Sequence, residues 1–249
     1  MCARCGDTID RAAIDLAAQE APQCRTCRLA APPFVRAVSY GPYTGKMREA
    51  VHALKYQQLH PAARRLGRML AEAIAQLLPE APAEMLVVPV PLYRRKHRER
   101  GFNQTQLLAA AAIKALRQSN PEWRLTLSSG ILMRHRATSS QAGLTPRQRR
   151  LNVRNAFRVT NHGVVAGRHI LVVDDILTTG ATVRSVSQAS IAAGAESVWV
   201  ATLARAGRIH AIGSSAAELP GKSASSGGVV ATGNVPDAQQ LASMYQRSF

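Results

Sequence analysis

Acidic residues are scarce in this chain: fifteen Asp and Glu face thirty-two Lys and Arg, a formal charge of +17 over 249 residues. Such an imbalance says nothing about fold but predicts attraction to phosphate-bearing partners such as nucleotides, sugar phosphates or nucleic acid. Aromatic residues are also few, at 4%, too few for the interleaved stacking platform that grips single strands. No run approaches the roughly 18 uninterrupted apolar residues of a spanning helix, so membrane insertion is not expected. The N-terminus lacks the basic-then-apolar pattern of a secretory signal, and the expected location is cytoplasmic. Cysteine is missing after residue 27, and in a reducing compartment a disulfide framework is not expected for the four that precede it.

Those four form two Cys-x-x-Cys pairs, Cys2/Cys5 and Cys24/Cys27, with eighteen residues between the pairs. This is the spacing of a four-cysteine zinc ribbon, in which each pair aims two sulfurs at one ion. A closed thiolate shell leaves no open position for chemistry, so the zinc is expected to be structural. A segment this short cannot bury enough apolar area to fold without it. Residues 1–33 are therefore read as a zinc ribbon. The seven histidines show no pair at metal-ligand spacing and are read as surface or packing residues.

Beyond this segment, strand-like and helix-like patterns alternate. Strands are expected at 34–40, 85–89, 130–133, 169–173 and 196–203, and helices at 45–58, after Pro61, at 103–117 with Asn103 as cap, and from about Gly180 to Gly194. The alternation predicts an α/β fold over residues 34–205, a parallel sheet with helices flanking both faces. Phosphate sites in such sheets lie at the carboxyl ends of strands. After Arg205 the composition turns to Gly, Ser and Ala without periodicity, and residues 206–249 are read as a disordered tail.

The most informative stretch runs from Ile170 to Thr182, ILVVDDILTTGAT. A buried strand ends in Asp174 and Asp175, and a turn of Thr178, Thr179, Gly180, Ala181 and Thr182 opens a helix. The helix N-terminus offers unpaired N–H groups to a phosphate monoester. Gly180 lets the backbone approach that phosphate, and the threonines add hydroxyl donors. Two acids at the strand tip suit a pair of vicinal hydroxyls, so a ribose 5-phosphate fits both ends. A second segment follows the strand at 85–89: a proline-stiffened turn, then a basic loop with Arg94, Arg95, Lys96 and Arg100 leading into Gly101-Phe102-Asn103-Gln104. A third, residues 134–158, is a long polar loop; no acid lies between Glu122 and Asp174, whereas nine arginines do. So one-sided a run repels itself unless an anion or solvent neutralises it.

The Asp-Asp…Thr-Thr-Gly-x-Thr run resembles the phosphoribosyl pyrophosphate signature of type I phosphoribosyltransferases. Together with the basic segment and the paired cysteines it is similar to the ComF/GntX-like, competence-associated family over roughly residues 1–205. That resemblance implies a type I phosphoribosyltransferase fold, with Asp174 and Asp175 on the ribose hydroxyls, residues 178–182 around the 5-phosphate, and magnesium bridging pyrophosphate and ribose oxygens. Arg100 is the first candidate for the pyrophosphate, with Arg94, Arg95 and Lys96 as alternates, and 134–158 is expected to close as a lid. Two activities stay open at this point. One is a phosphoribosyltransferase whose acceptor the sequence does not name. The other is a single-stranded DNA-binding competence accessory protein with a non-catalytic phosphoribosyl pocket. The family's link to natural transformation also implies single-stranded DNA or a competence helicase as partner.

Overall fold

The computed structural model describes residues 1–9, 21–56, 60–136 and 145–207. The tail expected from residue 206 therefore lies, from 208 onward, outside the described residues.

After a short helix α1 (Arg25–Leu29), the chain forms β1 (Ala37–Pro42), α2 (Gly45–Tyr56), α3 (His60–Ala75), β2 (Glu84–Pro89), α4 (Arg94–Arg100), α5 (Gln104–Ser119) and β3 (Arg124–Leu127). It continues through β4 (Leu132–Arg134), α6 (Pro146–Val153), β5 (Phe157–Val159), α7 (His162–Val165), β6 (His169–Leu177), α8 (Ala181–Ala192) and β7 (Ser197–Arg205). Five strands make one parallel sheet in the order β1-β7-β6-β2-β3. Among the described residues no helix is long and apolar enough to cross a membrane.

The strands are nearly continuous apolar runs because both faces are covered. Alternate residues serve alternate cores. Val38, Met85, Val87, Leu171, Val173 and Trp199 pack with Leu54 of α2, Leu70 and Ile74 of α3, and Leu108 and Leu116 of α5. Their neighbours Ala37, Leu86, Val88, Ile170, Val172 and Val198 pack with Val183 and Val186 of α8, Val165 of α7 and the four cysteines. Helices thus flank both faces, as the alternation of patterns requires.

Three local expectations change. The basic segment after β2 is a helix, α4, ended by Gly101 in the left-handed region (φ 75°), whose N–H reaches the His97 carbonyl at 2.8 Å. The strand expected at 130–133 is β4, which pairs antiparallel with β5 in a separate two-stranded sheet instead of joining the parallel one. The segment expected as one long loop carries α6 and β5; a capping box between Thr145 and Gln148, with Pro146 in the first turn, starts α6. Residues 137–144 of that segment lie outside the described residues, and so does any lid they form.

The connection after β2 leads outward to β3, while that after β6 leads through α8 to β7 on the opposite side. A crevice opens at the carboxyl ends of β2 and β6, where the winding reverses.

Candidate active site

β6 brings its two acids to that crevice and turns them opposite ways, since successive strand residues point to opposite faces. Asp175 shares the parity of Leu171 and Val173, toward α2 and α5. Its Oδ2 accepts from Lys55 Nζ at 2.9 Å and from Gln104 Nε2 at 3.2 Å. The ion pair is largely buried, the side chains being 19% and 8% exposed. Burial works against the Lys55 ammonium, but the charge and hydrogen bond of Asp175, with Asp174 and Tyr43 behind it, hold its pKa above the ordinary lysine value.

Asp174 has the other parity, and its Oδ1 accepts the Asp175 backbone N–H at 2.9 Å. Burial, reinforced by the neighbouring Asp175 charge, pushes the Asp174 carboxyl up to about 7, against the opposing pull of Lys55 and Arg134. Burial also pushes the Arg134 guanidinium below its usual range. Its carbon lies 5.5 Å from the centre of the Phe157 ring, so β4 and β5 deliver a cation to the acid on their side of the sheet. The two aspartates are thus chemically distinct: one locked into an ion pair, the other poised near neutrality.

Downstream of the acids, Gly180 adopts φ 75° and caps α8, with no side-chain cap and no acid in the first turn. A residue with a Cβ is strained in that conformation, which is why glycine stands there. No acid competes there for the positive end of the helix dipole, which favours an anion. The Ala181 N–H is spent on the turn itself, donating to Thr179 Oγ1 at 3.4 Å.

From β2 the chain enters α4 and then α5 through a tightly anchored junction. The Asn103 side chain caps α5 by accepting from the Thr105 N–H at 3.1 Å. Asn103 Nδ2 and Thr105 Oγ1 both donate to the Val90 carbonyl, at 3.1 and 2.7 Å, and Val90 N–H binds the Val173 carbonyl of β6 at 2.9 Å. These bonds fix Gln104 and Arg100 against the strand that carries the aspartates.

The result is a cavity of about 1070 Å³ lined by Arg94, Arg95, Lys96, Arg98 and Arg100, by Asp174 and Asp175, by Thr178, Gly180, Ala181 and Thr182, and by Tyr43, His52, Lys55, Gln104, Arg134 and Arg149. Every residue singled out in the sequence for the phosphate, ribose and pyrophosphate is therefore at one place, except that Thr179 does not line it. Six arginines and two lysines face two aspartates around this space. Such a wall attracts a polyanion.

Sequence reasoning missed Lys55, Arg134, Arg149, Tyr43 and His52. Lys55 carried a signal: it follows Val51 by four positions, so it continues the apolar stripe of α2 with a cation. His52, read as a surface or packing residue, is exposed and also lines the cavity. The two arginines were visible only as members of a basic run.

The N-terminal cysteines form a second cluster. Their ligand atoms all lie within 4.8 Å of one another, Cys5 and Cys24 Sγ being 3.7 Å apart, and all four side chains are buried without a disulfide. Sulfurs around a tetrahedral zinc with bonds of about 2.3 Å stand about 3.8 Å apart, so the donor set fits such an ion. Burial pushes the Cys5 thiol up to about 11, with Cys2 adding to it, although Arg205 and backbone N–H groups oppose the rise. Arg205 sits at the end of β7, pairs with Asp7 at 3.3 Å, and donates to the Cys5 carbonyl and, at 3.8 Å, to its Sγ. Backbone bonds from Ala37 N–H to the Arg4 carbonyl (2.8 Å) and from Ala3 N–H to the Pro22 carbonyl (2.8 Å) tie the cluster to β1 and to itself.

With this geometry in place, comparison with known proteins settles the family. The phosphoribosyl transferase domain model matches residues 63–211. The chain belongs to the ComF-like family of phosphoribosyl transferase domain proteins. It is similar to the DNA utilization protein YhgH of Salmonella typhi, 36% identical over 185 residues covering 73% of this chain and 77% of the relative. The protein of the same description from Escherichia coli K12 is 34% identical over 73% of this chain and 77% of its own length. Competence protein F of Haemophilus influenzae is 30% identical, with 75% and 80% covered. The phosphoribosyl transferase match begins after α2, so Lys55 and the cysteines lie outside it.

Proposed function

We propose that this protein binds phosphoribosyl pyrophosphate with magnesium and acts as a phosphoribosyltransferase-like component of DNA uptake in natural transformation. The observation that carries the reading is the cavity in which a helix N-terminus without an acid in its first turn, an acid pair and the cationic helix α4 meet. The 5-phosphate would sit on the α8 N-terminus beside Thr178 and Thr182, where backbone N–H groups and the helix dipole favour a dianion. Asp174 and Asp175 would accept from the ribose 2- and 3-hydroxyls. Because Lys55 and Gln104 already engage Oδ2 of Asp175 and Asp174 Oδ1 holds the Asp175 N–H, the diol would be met by Asp175 Oδ1 and Asp174 Oδ2. Arg100 would face the pyrophosphate, with Arg94, Arg95 and Lys96 along the same helix.

The acid pair also suits magnesium, which takes one or two carboxylates together with phosphate oxygens and, when bound, neutralises the leaving group. Displacement at the anomeric carbon breaks its bond to the pyrophosphate oxygen and forms one to the acceptor, which gives up a proton. The task for this chain is electrostatic: arginines stabilise charge growing on the departing pyrophosphate while the acids hold the ribose. Structural zinc on Cys2, Cys5, Cys24 and Cys27 would complete the N-terminal fold. The names of the relatives, DNA utilization protein and competence protein, support the link to DNA uptake.

Calorimetry with phosphoribosyl pyrophosphate, with and without magnesium, tests the reading, followed by a pyrophosphate-release assay against candidate acceptors. Magnesium-enhanced binding is expected, and no binding in either condition would overturn it. Binding without release under any acceptor would instead favour the accessory-protein reading, for which the exposed arginines of α4 offer a surface to single-stranded DNA.

A further inference from the structure

The candidate pyrophosphate and ribose groups are joined by one side chain. Arg100 Nη1 on α4 donates to Gln104 Oε1 at 3.0 Å, and Gln104 Nε2 on α5 donates to Asp175 Oδ2 at 3.2 Å. Lys55 of α2 closes the far end of the chain by donating to the same oxygen at 2.9 Å. Gln104 is buried, at 4% exposure, and its orientation is fixed by charge. Its carbonyl faces a cation and its amide N–H faces an anion, whereas the flipped amide would set N–H against guanidinium and oxygen against carboxylate. Hydrogen bonds with one charged partner are the strong ones, and chains of them polarise one another.

We propose that Gln104 is a positioning residue that makes the pyrophosphate-facing Arg100 and the ribose-facing Asp175 act as one unit. It rests on the reading of the cavity as a phosphoribosyl pyrophosphate site. The bond from Arg100 Nη1 to Gln104 fixes the direction of the guanidinium, so an anion entering the cavity meets it already aimed. Asp175, held from one side by Lys55 and Gln104, keeps its second oxygen at a fixed distance from that guanidinium. A ligand with both a diol and a pyrophosphate gains from this fixed spacing. Ribose 5-phosphate or pyrophosphate alone, touching one end, does not.

The test is a mutant cycle read by calorimetry with magnesium and phosphoribosyl pyrophosphate. Arg100→Ala, Asp175→Asn and their combination are measured in the wild type and again with Gln104→Met, which conserves length and bulk but makes neither bond. In the wild-type background the two losses should be non-additive by about tenfold, as for residues sharing a network. With Gln104→Met they should become additive to within about twofold. A fold defect alone would lower every affinity without changing additivity. Should Gln104→Met fail to fold, Gln104→Glu takes its place, keeping the acceptor facing Arg100 and losing the donor facing Asp175. That variant should lower phosphoribosyl pyrophosphate affinity severalfold more than it lowers that of ribose 5-phosphate or of pyrophosphate, and equal loss of all three would overturn the proposal. Wild-type binding with additive losses in both backgrounds would overturn the coupling and leave the site reading standing. No binding of phosphoribosyl pyrophosphate by the wild type would remove the reading and the coupling together.

Discussion

The cysteine cluster and the cationic cavity both gather polar atoms against the same parallel sheet, with opposite outcomes. In the first, four sulfurs lie within 4.8 Å of one another, all buried, and Arg205 at the end of β7 pairs with Asp7 and reaches Cys5. In the second, eight Lys and Arg side chains and two aspartates surround about 1070 Å³ of open space. Buried groups packed against one another hold structure, and sulfurs gathered around a metal ion would replace a hydrophobic core that so short a segment cannot build. Like charges gathered around a cavity favour an anionic ligand. The Lys55–Asp175 pair stands between the extremes: it is nearly as buried as the cysteines, yet it belongs to the cavity wall.

The comparison breaks first at the cysteines. Cys24→Ser should reduce bound zinc from about one per chain to near zero by metal analysis. It should also cost on the order of several kcal/mol in denaturant unfolding, since metal binding and local folding are one process. Protein purified without chelator that holds no metal, with four freely titratable thiols, would make this cluster a simple apolar core.

At Lys55, removing one partner of a buried pair leaves an uncompensated carboxylate. Lys55→Met should therefore destabilise by about 3 kcal/mol in denaturant titration. Adding Asp175→Asn should restore most of that loss. Equal stability of the single variant and the wild type would place this pair with solvated surface charges.

Replacing both Asp174 and Asp175 by Asn should weaken phosphoribosyl pyrophosphate at least about tenfold, each charge-assisted bond contributing about 1.5–3 kcal/mol. Inorganic phosphate, held by the 178–182 turn, should bind as well or better once the negative charge is gone. Unchanged phosphoribosyl pyrophosphate affinity would refute the site. Arg100→Ala sharpens the same contrast at the other end: pyrophosphate affinity should fall by about tenfold while ribose 5-phosphate is largely retained.

The smallest effect is a pH dependence at Asp174. Burial raises the Asp174 carboxyl from 3.8 to about 7, so between those values the folded protein holds a proton that the unfolded chain releases. Stability from this group is therefore present at low pH and is lost as pH rises toward 7. The melting temperature of Asp174→Asn should gain on that of the wild type across this window, measured by parallel thermal scans. A constant gap would show that the carboxyl titrates normally.

Much of this arrangement was legible in the chain because it depends on local chemistry. The Cys-x-x-Cys pairs fixed which side chains could share an ion, and the apolar run ending in Asp174 and Asp175 before Thr178–Thr182 fixed a strand, a turn and a helix start. Asn103 was legible as a cap because its side chain serves its own helix. Less legible was α4: seven residues with almost no apolar stripe look like a loop, and the helix is ended locally by Gly101. The Thr145–Gln148 capping box was present in the sequence but hidden inside a basic run.

What the sequence by itself determined is the set of groups and the local turns that present them: two thiol pairs, an acid pair, a phosphate-ready helix start and a surplus of arginine. Only the tertiary structure decided their partnerships. Lys55 meets Asp175 across 120 positions, Gln104 across 71 and Arg205 meets Cys5 across 200. No periodicity encodes such pairings, because they follow from the strand order, which brings β2 beside β6 and β7 beside β1. The alternation along β6 then sends one aspartate toward α2 and α5 and the other toward β4, so that two adjacent, identical residues acquire different partners.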